Sequence, residues 1–388
     1  MPVPRDLTSY LRKVATFYPV VTVTGPRQSG KTTLCQLTFP RKPYVSLEPL
    51  DTRARASSDP RGFLASYPDG AIIDEAQNVP DLFSYLQAEV DTNPKPGRFI
   101  LTGSQHFGLS ARISESLAGR VGVLHLLPPS LDELQRFPNA PTDLFETLWS
   151  GSYPPIFDRK IPAARWLADY VTTYIQRDVR QTLNVTDLNA FTTFLRLCAG
   201  RTGQEINLSD LGGDAGVSHN TARAWISVLE ASFICFRVPA WHRNFKKQLV
   251  KAPKLHFFDS GLACHLLGIR EPRELVTHPH RGAIFESWVA AEIYKSRVHR
   301  GLTPNLSHLR QTRGAEIDLV VERPAEVTLV EAKSGQTIAD DFFTGLREIE
   351  FRPPPAARRL IYGGDSAHKR SGVEVIPWKD IQKIKWGD

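Results

Sequence analysis

One glycine-rich segment near the N-terminus restricts the possible folds more than any other part of the sequence. Residues 25–32 read Gly-Pro-Arg-Gln-Ser-Gly-Lys-Thr and match the pattern Gly-x4-Gly-Lys-Ser/Thr at every fixed position. An apolar, strand-like run (residues 19–24) precedes the segment, and residues 33–37 continue it as a helix. Glycines let the backbone N–H groups of such a loop surround phosphates, and the helix N-terminus adds partial positive charge. The segment therefore predicts bound ATP and an α/β fold.

The loop supplies the predicted nucleotide contacts, and a second run completes them. Lys31 would reach the β and γ phosphates, and the Thr32 hydroxyl would ligate Mg²⁺. The predicted nucleotide-binding residues are Gly25, Pro26, Arg27, Gln28, Ser29, Gly30, Lys31, Thr32 and Thr33. An apolar run at residues 71–73 ends in Asp74 and Glu75. Asp74 would hold Mg²⁺ directly or through water, and Glu75 would orient and deprotonate the attacking water, so we expect ATP hydrolysis.

Two further positions are candidates for contact with the γ-phosphate. An apolar run at residues 98–102 ends in polar groups, of which Ser104 or Gln105 would sense the γ-phosphate. Arg120 would contact the γ-phosphate within its own chain or in a neighbouring copy. It could equally hold helix-end carbonyls or form an ion pair. We count Ser104 and Arg120 among the predicted catalytic residues.

The middle of the chain, residues 162–230, has a helical pattern. Ser209 and Ser218 are the expected N-caps of two consecutive helices joined by a short turn. A strand-like run at residues 233–238 follows the second helix at once. A helix-turn-helix followed by a hairpin is the winged-helix pattern, which many DNA-binding proteins use.

The second of these helices has two different faces. Its inward face is predicted to be Ala222, Ile226 and Leu229. The residues predicted to contact DNA, from its outward face and from the segment that follows, are His219, Asn220, Arg223, Arg243, Lys246 and Lys247.

Charge is unevenly distributed along this chain of 388 residues, whose formal net charge is +7. Two stretches, residues 231–258 and 293–315, contain no acidic residue but six and five basic residues respectively. Basic runs suit a polyanion, so nucleic acid, and DNA in the first place, is the predicted partner. A solvated face of a basic protein would show the same composition.

Composition argues against several other classes of protein. Apolar residues make up 41% and charged residues 23%, which is typical of a globular rather than a disordered chain. No stretch approaches the roughly 20 apolar residues of a membrane helix, and the first residues lack the apolar run of a secretory signal. The four cysteines show no CxxC spacing, which argues against a zinc site or disulfides. We expect a cytoplasmic protein without a membrane partner.

The C-terminal third contains a second candidate site. If residues 323–326 form a four-residue hairpin loop, Asp318 lies directly opposite Glu331, and Lys333 shares the face of Glu331. Two carboxylates and an ammonium so close together suit Mg²⁺. Asp318 and Glu331 would bind the metal, Glu286 from the preceding helix would complete its shell, and Lys333 would orient water or stabilise the developing charge.

This arrangement is the Asp…(Asp/Glu)-x-Lys pattern of restriction-endonuclease-like nucleases, which makes Asp318, Glu331 and Lys333 predicted catalytic residues. Glu-x-Lys is also common as a surface ion pair, and such folds also persist as inactive modules. The predicted fold is an α/β P-loop NTPase sheet, then a helical and winged-helix region, then a mixed α/β restriction-endonuclease-like domain. The expected domains span residues 1–135, 136–255 and 256–388.

On these motifs the chain resembles a prokaryotic group of AAA-type ATPases with a winged-helix middle and a restriction-endonuclease-like C-terminal domain of unknown function. The resemblance covers nearly the whole chain and rests on residues 24–32, 73–77, 101–104, 116–120, 174–178, 258–262, 285–286 and 331–335. Ala332 stands where that group more often has valine. The resemblance implies an ATPase fold and work on nucleic acid, but it supplies no substrate.

Three functions are consistent with these features. The leading hypothesis is an ATP-dependent DNA-processing protein, whose nucleotide state is coupled to the winged helix and a Mg²⁺-dependent nuclease site. The second is a regulatory switch, in which an inactive nuclease fold binds a protein partner. The third is a ring-forming DNA translocase or helicase, which requires a homo-oligomer and an arginine such as Arg120 or Arg112 acting in trans.

Overall fold

The computed structural model describes residues 2–103, 116–175, 187–241, 251–310, 316–324, 326–349, 351 and 354–387. The predicted site residues Ser104, Arg243, Lys246 and Lys247 lie outside the described residues, as do Gln105 and Arg112. The chain forms two compact units. The first unit comprises Met1–Pro128, Ala231–Phe233 and Val298–Gly301, and the second comprises Pro129–Glu230, Ile234–Arg297 and Leu302–Asp388. The division into three domains stays a prediction.

The first unit is built on a five-stranded parallel sheet. Its strands are β1 (Val20–Thr24), β2 (Tyr44–Ser46), β3 (Ile72–Asp74), β4 (Phe99–Gly103) and β5 (Val121–His125). Their order across the sheet is β2-β3-β4-β1-β5, and each neighbouring pair is parallel. Every residue of β1, β3 and β4 is buried, as expected of central strands that are covered on both faces. The predicted parallel α/β fold is confirmed.

Helices cover both faces of this sheet. They are α1 (Leu7–Val14), α2 (Lys31–Thr38), α3 (Leu50–Ser58), α4 (Pro60–Ala65) and α5 (Leu82–Thr92). Successive residues of a strand point to opposite faces, so Val20 and Val21 of β1 belong to two different apolar clusters. One cluster includes residues of α4 and α5, and the other includes residues of α1 and α2.

Two short segments from later in the chain complete the first unit. The ring of Phe233 packs against His125 at the end of β5, with ring centroids 5.3 Å apart. The backbone N–H of Leu127 donates to Nε2 of His299 at 3.2 Å, across 172 residues of sequence. The end of the parallel sheet therefore depends on residues that are far from it along the chain.

The second unit begins with helices. Those that lie wholly or mostly in it are α6 (Leu131–Leu134), α7 (Leu144–Ser150), α8 (Pro154–Asp158), α9 (Ala163–Tyr170), α10 (Leu188–Gly200), α11 (Leu208–Asp214), α12 (His219–Ala231), α13 (Ser260–Leu266), α14 (Pro272–Thr277), α15 (Arg281–Val298) and α16 (Thr344–Glu348). Within the described residues, no helix is both long and apolar enough to cross a membrane.

Helices α11 and α12 are followed by strands in the order that the sequence predicted. Strands β7 (Cys235–Val238) and β8 (Lys254–Phe257) are antiparallel, and β6 (Gln204–Glu205) pairs with β8. Ser218 caps α12 as predicted, because its hydroxyl accepts a hydrogen bond from the N–H of Thr221 at 3.1 Å. Ser209 does not cap α11. Asn207 does so, since its side-chain oxygen accepts from the N–H of Ser209, and an asparagine is an equally good cap two residues earlier.

A six-stranded mixed sheet forms the rest of the second unit. Its strands are β9 (Leu306–Arg310), β10 (Glu316–Glu322), β11 (Val327–Lys333), β12 (Ala357–Tyr362), β13 (His368–Arg370) and β14 (Val373–Pro377). Their order is β13-β14-β12-β11-β10-β9. The pairs of β11 with β12 and of β12 with β14 are parallel, and the other three pairs are antiparallel. A buried apolar cluster from β10, β11, β12 and α16 stabilises this sheet.

Candidate functional site

The glycine-rich loop joins the end of β1 to the start of α2, and two of its glycines are required by the backbone. Gly25 has φ of 151°, and a Cβ there would lie 2.1 Å from the carbonyl oxygen of Leu126. Gly30 has φ of 93°, in the left-handed region that side chains disfavour. The loop can therefore curl its N–H groups toward one point, at the N-terminus of α2.

Lys31 is the first residue of α2, and its side chain is folded back into the loop. Its Nζ donates to the carbonyl oxygens of Gly25 at 3.1 Å and Pro26 at 2.8 Å. Burial lowers the pKa of Lys31 to about 8, while the nearby carboxylate of Glu75 acts in the opposite direction. The ammonium is thus held inside the loop by neutral carbonyls, where phosphate oxygens would be stronger partners.

Asp74 ends β3 and accepts hydrogen bonds from three hydroxyl groups. Thr32 Oγ1 donates to both carboxylate oxygens, at 3.0 and 3.1 Å, and the hydroxyl of Tyr44 donates to Oδ2 at 2.9 Å. The hydroxyl of Thr102 is the third donor. Thr102 lies on β4, which flanks β3, and Tyr44 reaches Asp74 from the first residue of β2 on the other side of β3. The Thr32 hydroxyl and the Asp74 carboxylate are in direct contact, and both have oxygen atoms that can serve as metal ligands. This pair therefore fits the Mg²⁺ predicted there.

Glu75 leaves β3 in an unusual backbone conformation. Its φ is 53°, in the left-handed region, which costs a non-glycine residue about 1–2 kcal/mol. The amide of Gln77 donates to its carboxylate from the short 3-10 helix Ala76–Asn78. Strained residues of this kind gather at functional sites, and Glu75 follows directly after Asp74, where the sequence predicted a general base.

Three residues of this site were missed from the sequence: Arg5, Tyr44 and Thr102. The buried guanidinium of Arg5 donates from Nη1 to the Ser29 carbonyl and from Nη2 to the Leu127 carbonyl, both at 2.7 Å. Arg5 therefore connects the loop to the segment that follows β5. No local pattern signals such a contact across 24 and 122 residues.

Arg120 forms an ion pair in this structure. Its Nη2 lies 3.0 Å from Oδ2 of Asp91, and its Nη1 donates to the carbonyl of Ala118 at 3.1 Å. Of the roles predicted for it, an ion pair and a contact with a backbone carbonyl describe this arrangement. A γ-phosphate contact by Arg120 stays a prediction.

The second site lies in the second unit, and its strand register is as predicted. Glu322 pairs with Val327 and Leu319 with Val330, which places Asp318 opposite Glu331. Oδ2 of Asp318 accepts from the N–H of Ala332 at 2.9 Å. Nζ of Lys333 lies 2.6 Å from Oε1 of Glu331. As whole residues, Asp318 and Glu331 are both only 7% exposed, so the structure brings two buried carboxyl groups together here.

Lys254, which the sequence analysis did not assign to this site, extends into it from β8. Its Nζ lies 2.8 Å from Oε1 of Glu286, 2.6 Å from Oε1 of Glu316 and 3.7 Å from Oδ1 of Asp318. The side chain of Lys254 is only 4% exposed. We refer to Lys254, Glu286, Glu316, Asp318, Glu331 and Lys333 as the acidic pocket. It contains four carboxyl groups and two ammonium groups.

Burial and charge shift most of the pKa values in the acidic pocket. Burial alone would lower the pKa of Lys254, but the carboxyl groups of Glu286, Asp318 and Glu316 outweigh it and raise that pKa. Burial and the neighbouring Asp318 raise the pKa of Glu286 well above its usual range, and they raise the pKa of Glu331 to about 8. The neighbouring carboxyl groups likewise raise the pKa of Lys333, so both ammonium groups are held in their charged form, whereas Glu286 and Glu331 keep their protons to higher pH than free carboxyl groups do.

Glu286 and Asp318, which the sequence predicted to form a Mg²⁺ shell with Glu331, lie beside the Lys254 ammonium in this structure. Among the described residues, no group of three or more His, Cys, Asp and Glu side chains is arranged to hold a metal ion. The physical reason is the position of Lys254, whose ammonium is bound by Glu286 and lies near Asp318. A metal shell formed by Glu286, Asp318 and Glu331 stays a prediction.

The basic runs are only partly internal where the structure describes them: Lys254, Lys295 and Arg297 are buried, whereas Arg237, Lys251, Arg300 and Arg310 are exposed. Arg237 pairs with Glu230 at 2.7 Å, and Lys295 pairs with the buried Glu292 at 3.0 Å. Arg297 donates to the carbonyl of Thr303 at 2.8 Å. The two acid-free runs therefore combine buried and exposed basic residues, and a polyanionic partner stays a prediction.

The two faces of α12 are as predicted. His219, Asn220 and Arg223 are exposed on its first turns. Ala222, Ile226 and Leu229 are fully buried. Contact between the exposed residues and DNA stays a prediction.

Family models match three parts of the chain. An AAA domain matches residues 18–135, a domain of unknown function (DUF8612) matches residues 141–273, and another (DUF4143) matches residues 281–381. The first match agrees with the parallel sheet and the loop, so residues 18–135 form an AAA-type P-loop ATPase domain. The descriptions of the other two give no function.

Two curated relatives match most of the chain. They are the uncharacterized proteins Rv2008c of Mycobacterium tuberculosis and Mb2031c of Mycobacterium bovis. Each is 32% identical over 325 residues, which cover 82% of this chain and 71% of the relative.

Similar solved structures include a Walker-type ATPase, PABY2304 of Pyrococcus abyssi, and a single-residue variant of RuvB from Thermotoga maritima. The first is 14% identical with a TM-score of 0.47, covering 67% of this chain and 94% of that one. The second is 20% identical with a TM-score of 0.29, covering 60% and 88%. Similarity at this level adds no argument about function.

Proposed function

The chain belongs to the family of the mycobacterial proteins Rv2008c and Mb2031c, and we propose that it hydrolyses ATP with Mg²⁺ and thereby controls the action of its second unit on DNA. The observation that carries the ATPase part is the contact between the Thr32 hydroxyl and the Asp74 carboxylate, next to Lys31 in the loop. These are the side chains that a Mg²⁺-nucleotide requires, and they come from a helix and a strand that are separate in sequence.

The chain's own residues account for binding and proton transfer. The loop N–H groups and the N-terminus of α2 bind the phosphates, and Lys31 exchanges its carbonyl partners for phosphate oxygens. Thr32 and Asp74 would hold the Mg²⁺, which supplies charge neutralisation at the phosphate oxygens. Glu75 orients a water molecule and accepts its proton as the water attacks the γ-phosphate.

The test is steady-state ATP hydrolysis together with nucleotide binding, in the full chain. Glu75→Gln should bind ATP about as well as wild type and lose hydrolysis by about 10²-fold or more, because only the base is removed. Lys31→Ala should lose both. Glu48→Gln, the same chemical change at an exposed position, is the matched control and should behave as wild type. Unchanged hydrolysis in Glu75→Gln would refute its role as the base.

Action on DNA is supported by α11, α12 and the antiparallel strands β7 and β8, which have the order of a winged helix. His219, Asn220 and Arg223 lie exposed at the N-terminal end of α12, where a recognition helix contacts bases. Fluorescence anisotropy with labelled duplex should show affinity that falls steeply as salt rises. Arg223→Gln should weaken it, and the exposed Arg270→Gln, from another part of the second unit, should not. Binding that is insensitive to salt and to Arg223→Gln would refute this part.

A second candidate function is a nucleotide-controlled switch whose second unit binds a protein without cutting nucleic acid. The observation that favours it is Lys254, whose ammonium is bound by Glu286 and lies 3.7 Å from Asp318, two of the three residues predicted to hold the nuclease metal. Linear, nicked and branched DNA should be incubated with Mg²⁺ or Mn²⁺, with and without ATP. Cleavage that disappears in Asp318→Ala would establish a nuclease, and Lys31→Ala would show whether ATP drives it. Intact ATPase activity without cleavage would favour the switch.

A further inference from the structure

We propose that Lys254 is a built-in counter-cation of the acidic pocket, which admits a divalent cation only when the Lys254 ammonium is withdrawn. The distances support this directly. Nζ of Lys254 lies within 2.8 Å of carboxyl oxygens from both Glu286 and Glu316, and 3.7 Å from Asp318. These oxygens come from α15 and β10, so one ammonium joins two separate elements.

Because these groups are buried, a metal ion cannot easily bind beside the Lys254 ammonium. The side chains of Lys254, Glu286 and Asp318 are 4%, 13% and 10% exposed, so water screens their charges poorly. A divalent cation bound by Glu286 and Asp318 would lie within a few ångströms of the ammonium and be repelled by it. The two cations therefore compete for the same oxygens and exclude one another.

The ammonium and the carboxyl groups belong to different parts of the second unit. Lys254 lies on β8, in the three-stranded sheet with β6 and β7, whereas Asp318 and Glu331 lie on β10 and β11 of the six-stranded sheet. The Lys254 side chain can therefore leave without taking a carboxyl group with it. Lys333 differs, since it lies on β11 with Glu331, two residues away, and is bonded to that carboxyl group.

All the residues of the acidic pocket belong to the second unit, and their exclusion of a divalent cation does not depend on ATP hydrolysis by the first. Its test is binding of Mn²⁺ to the nucleotide-free full chain, with free Mn²⁺ measured by electron paramagnetic resonance. Lys254→Met should gain one site that binds Mn²⁺ at least about tenfold more tightly than any site that wild type has in this pocket. Adding Asp318→Asn to Lys254→Met should abolish that site.

Lys333→Met is the matched control, because it removes an ammonium from the same pocket but not the one between Glu286 and Glu316. It should gain clearly less affinity than Lys254→Met. Thermal unfolding of each variant checks the fold. If Lys254→Met is unstable, it is replaced by the double variant Lys254→Met with Glu316→Gln, which removes one positive and one negative group. A wild-type Mn²⁺ site that Asp318→Asn removes would overturn the proposal. So would a folded Lys254 variant without a new site, or an equal gain in Lys333→Met.

Discussion

ATP affinity should fall as the pH rises above 8, because the group that receives the phosphates loses its charge there. Burial lowers the pKa of Lys31 to about 8 in the nucleotide-free protein. Bound phosphate oxygens would raise that pKa again, so ATP selects the charged form of Lys31 and its binding takes up a proton. The dissociation constant for ATP should therefore be nearly constant below pH 8 and increase above it.

The size of the effect follows from the fraction of charged Lys31. With a pKa of about 8, this fraction is about nine-tenths at pH 7 and about one-tenth at pH 9. If only the charged form binds, the dissociation constant rises about tenfold between these two pH values, which corresponds to about 1.4 kcal/mol. Most of that rise should occur above pH 8.

Isothermal titration calorimetry with a non-hydrolysable ATP analogue measures the dissociation constant and the proton uptake, at constant ionic strength and saturating Mg²⁺. Repeating the titration at pH 8.5 in buffers of different ionisation enthalpy gives the number of protons taken up on binding. Lys31→Arg keeps its charge at both pH values and serves as the control, with a flat pH profile whatever its affinity. A wild-type dissociation constant that does not change between pH 7 and 9 would show that the reasoning about Lys31 is wrong.

Three further outcomes can be measured on single variants. Tyr44→Phe removes one of the hydroxyl donors to Asp74, so the Mg²⁺ concentration at half-maximal ATPase activity should shift by about fivefold, equivalent to about 1 kcal/mol; an unchanged Mg²⁺ profile would contradict this. Arg5→Ala loses two charge-assisted hydrogen bonds to the carbonyls of Ser29 and Leu127 and should lower the free energy of unfolding in urea by about 3 kcal/mol. The raised pKa of Glu331 means that the folded state holds its proton more tightly, so its contribution to stability is lost as the pH rises from about 4.5 to 8. Glu331→Gln should therefore flatten that part of the stability profile, and a slope that persists unchanged would point to another group.

Local patterns allowed the nucleotide site to be predicted, because most of its functional residues lie in short contiguous segments. The loop at residues 25–32 follows the buried strand β1, and Asp74 is the last residue of the buried strand β3. Parallel strands end at the same edge of a sheet. The register of β10 and β11 could also be counted from a four-residue loop, which placed Asp318 opposite Glu331.

The features that the sequence did not reveal all depend on distant contacts. Lys254 was counted as part of a basic run, but it is bound by carboxyl groups of Glu286 and Glu316, much further along the chain. Arg5 contacts backbone carbonyl groups, which every residue has, so no residue type in the sequence signals these contacts. Lys295 and Arg297 lie in a second acid-free stretch, yet both are buried. Charge counted along a sequence says nothing about which side chains face inward, so it could not separate these buried residues from Arg300 and Arg310, which are exposed.

The three-segment composition of the first unit has a practical consequence for cutting the chain into pieces. Residue 128 would be an obvious place to separate the ATPase domain, because the main segment of the first unit ends there. A fragment of residues 1–128 would lack Phe233, which packs on His125, and His299, which accepts from the N–H of Leu127. Both losses fall at the end of β5, close in sequence to the Leu127 carbonyl that Arg5 holds. Weak nucleotide binding by such a fragment would therefore reflect the cut itself.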